Sequence, residues 1–87
     1  MREIPFKQII NYLNEKTNRS FTVTESYKRS IQARWREGKR EEDFMKVVDI
    51  KVSQWLNDPE RQNYLRPETL FGTKMDSYLQ EQPKKDL

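Results

Sequence analysis

The chain has 87 residues, carries 17 Lys and Arg against 14 Asp and Glu for a net charge of +3, and contains neither cysteine nor histidine. Disulfide frameworks, thiolate zinc sites, histidine triads and His–zinc centres are therefore excluded. No apolar run approaches the roughly 18 residues of a membrane span, and no signal-peptide pattern opens the chain, so a cytoplasmic location is expected.

A chain this short forms one domain, burying roughly 60–65% of its unfolded surface around a small core. The first segment, IPFKQIINYLNEKT, sets Phe6, Ile9, Ile10 and Leu13 at helical spacing, the stripe of an amphipathic helix, with Pro5 where a first turn tolerates it. The small polar run TNRSF reads as a loop. In TVTESYKRSIQARWREG, Thr24 is placed to cap a second helix, Glu25 sits in its first turn and Gly38 lies just past its end. Tyr27, Ile31, Trp35 and Arg34 form its inner stripe. On the other side Lys28, Arg29, Gln32 and Arg36 fall within about 100° of one another.

A third helix, EEDFMKVVDIKVSQWLND, opens with three acids suited to the positive end of its dipole and ends at Asp58-Pro59. Phe44, Val47, Val48, Lys51 and Trp55 make its inner stripe, with a lysine in the middle. Pro67 to Phe71 can form one helical turn, Gly72 allows a bend, and TKMDSYLQEQ gives a last short helix with Met75, Tyr78 and Leu79 inward. These elements predict an all-α fold, a small bundle of four to five short helices, as one domain over residues 1–82 with a frayed tail at 83–87.

Charge is segregated along the chain. Between Lys28 and Arg40 six basic residues meet one acid, Glu37, for a local +5; between Glu41 and Glu60 six acids meet Lys46 and Lys51, for −4. The basic cluster of Lys28, Arg29, Arg36, Lys39 and Arg40 is the strongest candidate site, since cations on one helix face can contact successive phosphates with little sequence preference. The alternative is an ordinary solvated face. Trp35, beside that face, could stack on a base or pack in the core. The linker GKREE has helix-turn-helix spacing, yet the following helix starts Glu41-Glu42-Asp43, which opposes its insertion into a major groove.

Arg34 and Lys51 lie on inner stripes, so each needs a carboxylate or helix-end carbonyls beneath the final segment, or else marks a sheltered anion site. The aromatic stretch NYLRPETLFGTKMDSYLQ either closes the core or offers Tyr64, Arg66, Phe71 and Tyr78 to a partner. No carboxylate pair shows a spacing that marks acid–base work, and the two isolated glycines make no phosphate loop. The chain is therefore expected not to be an enzyme and to need no metal or cofactor.

Taken together, YLNEKT, IQAR followed by EG, DF leading into VVDIKVSQW, YLRPETLFG and YLQ resemble the conserved phage C-terminal domain of DnaD-like replisome-organiser proteins, over Ile4 to about Gln80. Met75 stands where that resemblance would place a phenylalanine. The resemblance implies a part in starting phage or prophage DNA replication, with binding to origin DNA or to a host helicase loader or initiator. In such proteins a winged-helix domain usually precedes this one, so the chain reads as an excised domain or a small stand-alone prophage protein. The resemblance carries over Arg34, Gly38, Phe44, Lys51, Trp55, Tyr64, Leu65, Arg66, Pro67, Leu70, Phe71 and Gly72 as structural positions. Two functions remain open: contact with single- or double-stranded DNA through the basic helix face, or protein–protein interaction, including self-association, through the aromatic segment or the acidic helix.

Overall fold

The computed structural model describes residues 3–83. Five helices follow in chain order: α1 (Phe6–Thr17), α2 (Glu25–Arg36), α3 (Glu41–Trp55), α4 (Pro67–Leu70) and α5 (Met75–Leu79), with a 3-10 turn over Gln62–Tyr64 between α3 and α4. The all-α expectation is met, and no strand occurs among the described residues. Pro83 is the only residue of the expected tail that is described; the rest lies outside the described residues.

α1 buries Ile9, Ile10 and Leu13, as its periodicity requires, and also Thr17. That hydroxyl is tolerated inside because Thr17 Oγ1 donates back to the Leu13 carbonyl at 2.7 Å. Asn18 ends the helix in the left-handed conformation, at φ 57°. The loop that follows is held by one side chain: Asn14 Oδ1 accepts from the Phe21 N–H at 2.8 Å and Asn14 Nδ2 donates to the Phe21 carbonyl at 2.9 Å. Phe21 and Val23 are thereby brought against the core.

α2 begins as expected, with Thr24 Oγ1 accepting from the Tyr27 N–H at 3.2 Å. Its end is a Schellman motif: the Lys39 N–H bonds the Arg34 carbonyl at 3.1 Å and the Gly38 N–H bonds that of Trp35 at 3.0 Å. Gly38 has φ +104°, a conformation that glycine adopts without strain. The motif turns the chain directly into α3, where the Asp43 carboxylate accepts from the Arg40 N–H at 2.8 Å, the returning half of a capping box.

α3 is the central element, packed by α1, α4 and α5. It therefore buries Phe44, Val47, Val48, Ile50 and Lys51, a wider face than the single expected stripe, to which Ile50 is the addition. Asp58 closes the following turn, its Oδ1 accepting from the Glu60 and Arg61 N–H groups at 2.9 and 3.2 Å. Pro67 starts α4 at the position where a missing N–H costs nothing. Leu65, Leu70, Phe71 and Met75 then complete the core against Phe44, with the Phe44 and Phe71 rings edge to face at 5.2 Å. The radius of gyration, 12.4 Å, matches the roughly 12 Å of a folded chain of this length.

Candidate nucleic-acid interface

The five cations expected to face DNA separate into two groups. Arg29 and Arg36 are exposed on α2, seven positions and about 10 Å apart along one face at 1.5 Å per residue. Neither has an ion-pair or hydrogen-bond partner among the described residues. Lys28 lies on the same side, half-buried, with Glu25 at 3.6 Å and its ammonium 5.8 Å from the Phe6 ring centroid. A single exposed i,i+3 pair at that distance holds the lysine only weakly.

Lys39 and Arg40 are engaged within the fold. Lys39 donates to Asp76 Oδ1 at 2.8 Å, which joins the α2–α3 turn to the first turn of α5. The hydrogen bond to Asp76 holds the Lys39 ammonium above its ordinary pKa. The Arg40 guanidinium lies over the Trp35 indole, 4.7 Å from its centroid, and Nη1 donates to the carbonyls of Trp35 at 3.0 Å and Lys39 at 2.8 Å. Trp35 itself packs near-parallel to Phe44, with centroids 6.3 Å apart, so its ring is part of the core wall. Lys39 and Arg40 are thus less free to turn toward a phosphate than Arg29 and Arg36.

The residues expected to meet a protein partner are not alike either. Tyr64 is 46% exposed and sits edge-on to Trp55 at 5.9 Å. Arg66 places its guanidinium 5.9 Å from the Tyr64 ring, pairs with Glu68 at 3.5 Å and donates from Nε to Thr69 Oγ1 at 3.1 Å. Tyr78 is half-buried, its phenol pushed upward in pKa by burial first and by Glu81 second. Phe71 is 0% exposed. The expectation that it touches a partner is corrected here: α4 is one turn long, and that turn points Phe71 into Phe44 and the core.

The two inner-stripe cations are paired. Lys51 donates to Glu81 at 2.7 Å and to Gln54 Oε1 at 2.9 Å, and its ammonium lies 4.3 and 4.1 Å from the Trp55 and Tyr78 ring centroids. This is one of the partners expected beneath the final segment, a carboxylate. Arg34 instead pairs locally, with Glu37 at 3.1 Å in the next turn, and its Nε has no partner among the described residues. The correction has a simple cause, since the Schellman turn brings Glu37 round onto Arg34.

One feature went unread in the sequence. A cleft of about 880 Å³ lies beside Trp35, lined by Pro5, Trp35, Met45 and Arg40 and by three carboxylates, Glu3, Glu41 and Glu42. Its parts come from the N-terminal segment, α2 and α3, so no local pattern announces it.

No helix is long and apolar enough to cross a membrane, and no group of three or more potential metal-ligating side chains occurs among the described residues. Five short helices around one core, with Arg29 and Arg36 exposed on one face of α2, define a small all-α domain. The chain belongs to the conserved phage C-terminus family, which matches residues 9–80. Comparison with curated proteins and with solved structures gave no match.

Proposed function

We propose that this domain is a non-enzymatic module of a phage-type replication protein of the DnaD-like, replisome-organiser kind, and that it contacts DNA phosphates through α2. The observation that carries the reading is the pair Arg29 and Arg36, exposed on one helix face with no carboxylate to neutralise either among the described residues. Lys28 adds a third cation on that side. Two to three phosphate contacts give weak binding without base readout, open to single or double strands. Membership of a phage family supports a role beside replicating DNA but does not specify one.

The test is fluorescence anisotropy of labelled single- and double-stranded DNA. Two to three contacts predict that affinity falls about 10- to 40-fold between roughly 50 and 200 mM salt. The double variant Arg29→Glu/Arg36→Glu should lose binding while keeping its helical circular dichroism. Unchanged affinity in that variant would overturn the reading. Absence of DNA binding by the wild type would instead favour a protein partner, for which the exposed side chains of Tyr64 and Leu56, 46% and 37% accessible, are the available apolar surface.

A further inference from the structure

The cleft beside Trp35 is lined by three carboxylates against one arginine, whereas α2 carries the exposed cations Arg29 and Arg36. Trp35 lines the cleft, and Arg36 follows it directly in the chain. Glu3, Glu41 and Glu42 have no ion-pair partner among the described residues, and neither do Arg29 and Arg36. Meanwhile Arg40 shows what a guanidinium does at this place: it sits over the Trp35 ring, 4.7 Å from its centroid, in a cleft also lined by carboxylates. A lining that joins Pro5, Trp35 and Met45 to acids suits an arginine side chain, whose stem packs while its head pairs.

We propose that the occupant of this cleft is a second copy of the chain, with Arg29 and Arg36 of each protomer set against Glu41 and Glu42 of the other. Patches of opposite sign on one chain can be self-complementary under a two-fold axis, because each patch then meets its counterpart twice. The proposal rests on α2 offering a free cationic face, as the DNA reading does. It goes further, because the same arginines cannot serve phosphates and carboxylates together. DNA binding and dimerisation are therefore mutually exclusive, and DNA releases the monomer.

Sedimentation velocity with charge-reversed variants tests this. At low salt the wild type should sediment as a dimer of the 10.7 kDa chain with rising concentration, and revert to monomer at high salt. Arg29→Glu/Arg36→Glu and Glu41→Lys/Glu42→Lys should each be monomeric alone. Mixed together they should form a 1:1 heterodimer, since one then offers only acids and the other only bases. A chain carrying all four reversals should regain the homodimer. Should the lysines at the start of α3 unfold the domain, Glu41→Gln/Glu42→Gln supplies the monomeric control. A wild type that stays monomeric at low salt, a dimer that survives Arg29→Glu/Arg36→Glu, or a mixture that does not associate would each overturn the proposal. The two readings fail separately: Glu41→Gln/Glu42→Gln should lose the dimer and bind DNA at least as tightly as the wild type, and a wild type that never binds DNA leaves the dimer test intact.

Discussion

Lys51 is 3% exposed, yet its ammonium reaches the Glu81 carboxylate at 2.7 Å, across thirty positions of sequence. The contact pins the chain after α5 onto the middle of α3, and Gln54 Nε2 reinforces it by donating to the Gln82 carbonyl at 3.2 Å. Two rings, Trp55 and Tyr78, flank the lysine at 4.3 and 4.1 Å, and Tyr64 packs on Trp55. The stem is buried among apolar groups, while the head meets a carboxylate that keeps some solvent contact.

The stem should therefore matter more than the charge. Lys51→Ala is expected to cost roughly 2 kcal/mol, through a cavity where a long side chain packed. Lys51→Met, which keeps most of that volume, should cost less than about 1 kcal/mol. Glu81→Gln should cost about 1 kcal/mol, since an unneutralised lysine stays beside the rings. Urea unfolding of the three variants checks the order. Equal losses for Met and Ala would show that charge, not packing, holds this contact.

Acid should weaken the same clamp. The hydrogen bond from Lys51, foremost, holds the Glu81 carboxyl below its ordinary pKa, and backbone N–H groups, that of Glu60 first, do the same for Asp58. A carboxyl depressed in the folded state contributes stability that is fully present above its unfolded pKa and is lost as pH falls through the folded value. Melting temperature should thus be flat near neutrality and decline below about pH 4. Glu81→Gln should remove part of that decline and Asp58→Asn another part. A double variant with an acid limb as steep as the wild type's would refute the assignment.

The two glycines make different demands. A Cβ at Gly72 would lie 2.7 Å from the Glu68 carbonyl oxygen, which belongs to the backbone of α4 and cannot swing away. Gly38 has open space around it but sits at φ +104°. Gly72→Ala is expected to cost roughly 1–3 kcal/mol by overpacking, and Gly38→Ala about 1 kcal/mol by conformational strain. Gly38→Asn should recover part of the second loss, since asparagine tolerates positive φ, while Gly72→Asn should recover nothing. Thermal unfolding of the four variants separates the two causes.

Where one signal sufficed, the sequence was readable. Thr24, Gly38 and Pro67 mark helix ends by local backbone chemistry, and the helical ends fall where they place them. The lysine on the α3 stripe called for a carboxylate or helix-end carbonyls beneath the final segment, and the Glu81 carboxylate is what it meets. What could not be read were pairings across long separations. Nothing near Lys39 points to Asp76, and nothing near Asn14 announces that it will clamp Phe21. Tyr64 and Phe71 stand in one aromatic stretch, and only the position of α4 against Phe44 separates the exposed ring from the buried one. The acidic cleft, gathered from three segments, had no local signal at all.

Tyr12 should be titratable as an individual group. Its hydroxyl donates to Asp49 at 2.6 Å, joining α1 to α3, and that hydrogen bond, with burial and the charges of Asp49 and Glu15, pushes its pKa up to about 12. Lys16, 5.3 Å from the ring, is the cation that faces it. Tyrosinate absorbance should show Tyr12 ionising well after an ordinary phenol, at about 12, with Tyr78 also shifted upward. Asp49→Asn should return Tyr12 towards about 10. The raised pKa also means that this tie stabilises fully below the ordinary phenol range and is lost as pH rises through the folded value. An alkaline titration unchanged by Asp49→Asn would break the assignment.

The division of the cations into free and engaged ones predicts unequal effects on DNA affinity. Within one chain Arg29 and Arg36 have no partner to leave when they meet a phosphate, so alanine at either should lower the salt slope by about 1. Lys39 is held by Asp76 at 2.8 Å, and Arg40 by an indole and two carbonyls, so alanine at either should change the slope by less than half as much. Asp76→Asn sharpens the comparison. By freeing Lys39 it should raise affinity and steepen the slope, at little cost in stability because the carboxylate is largely solvated. Anisotropy at several salt concentrations reads all five variants. Equal losses across the four cations would mean that phosphate attraction follows total charge rather than which side chains the fold leaves free.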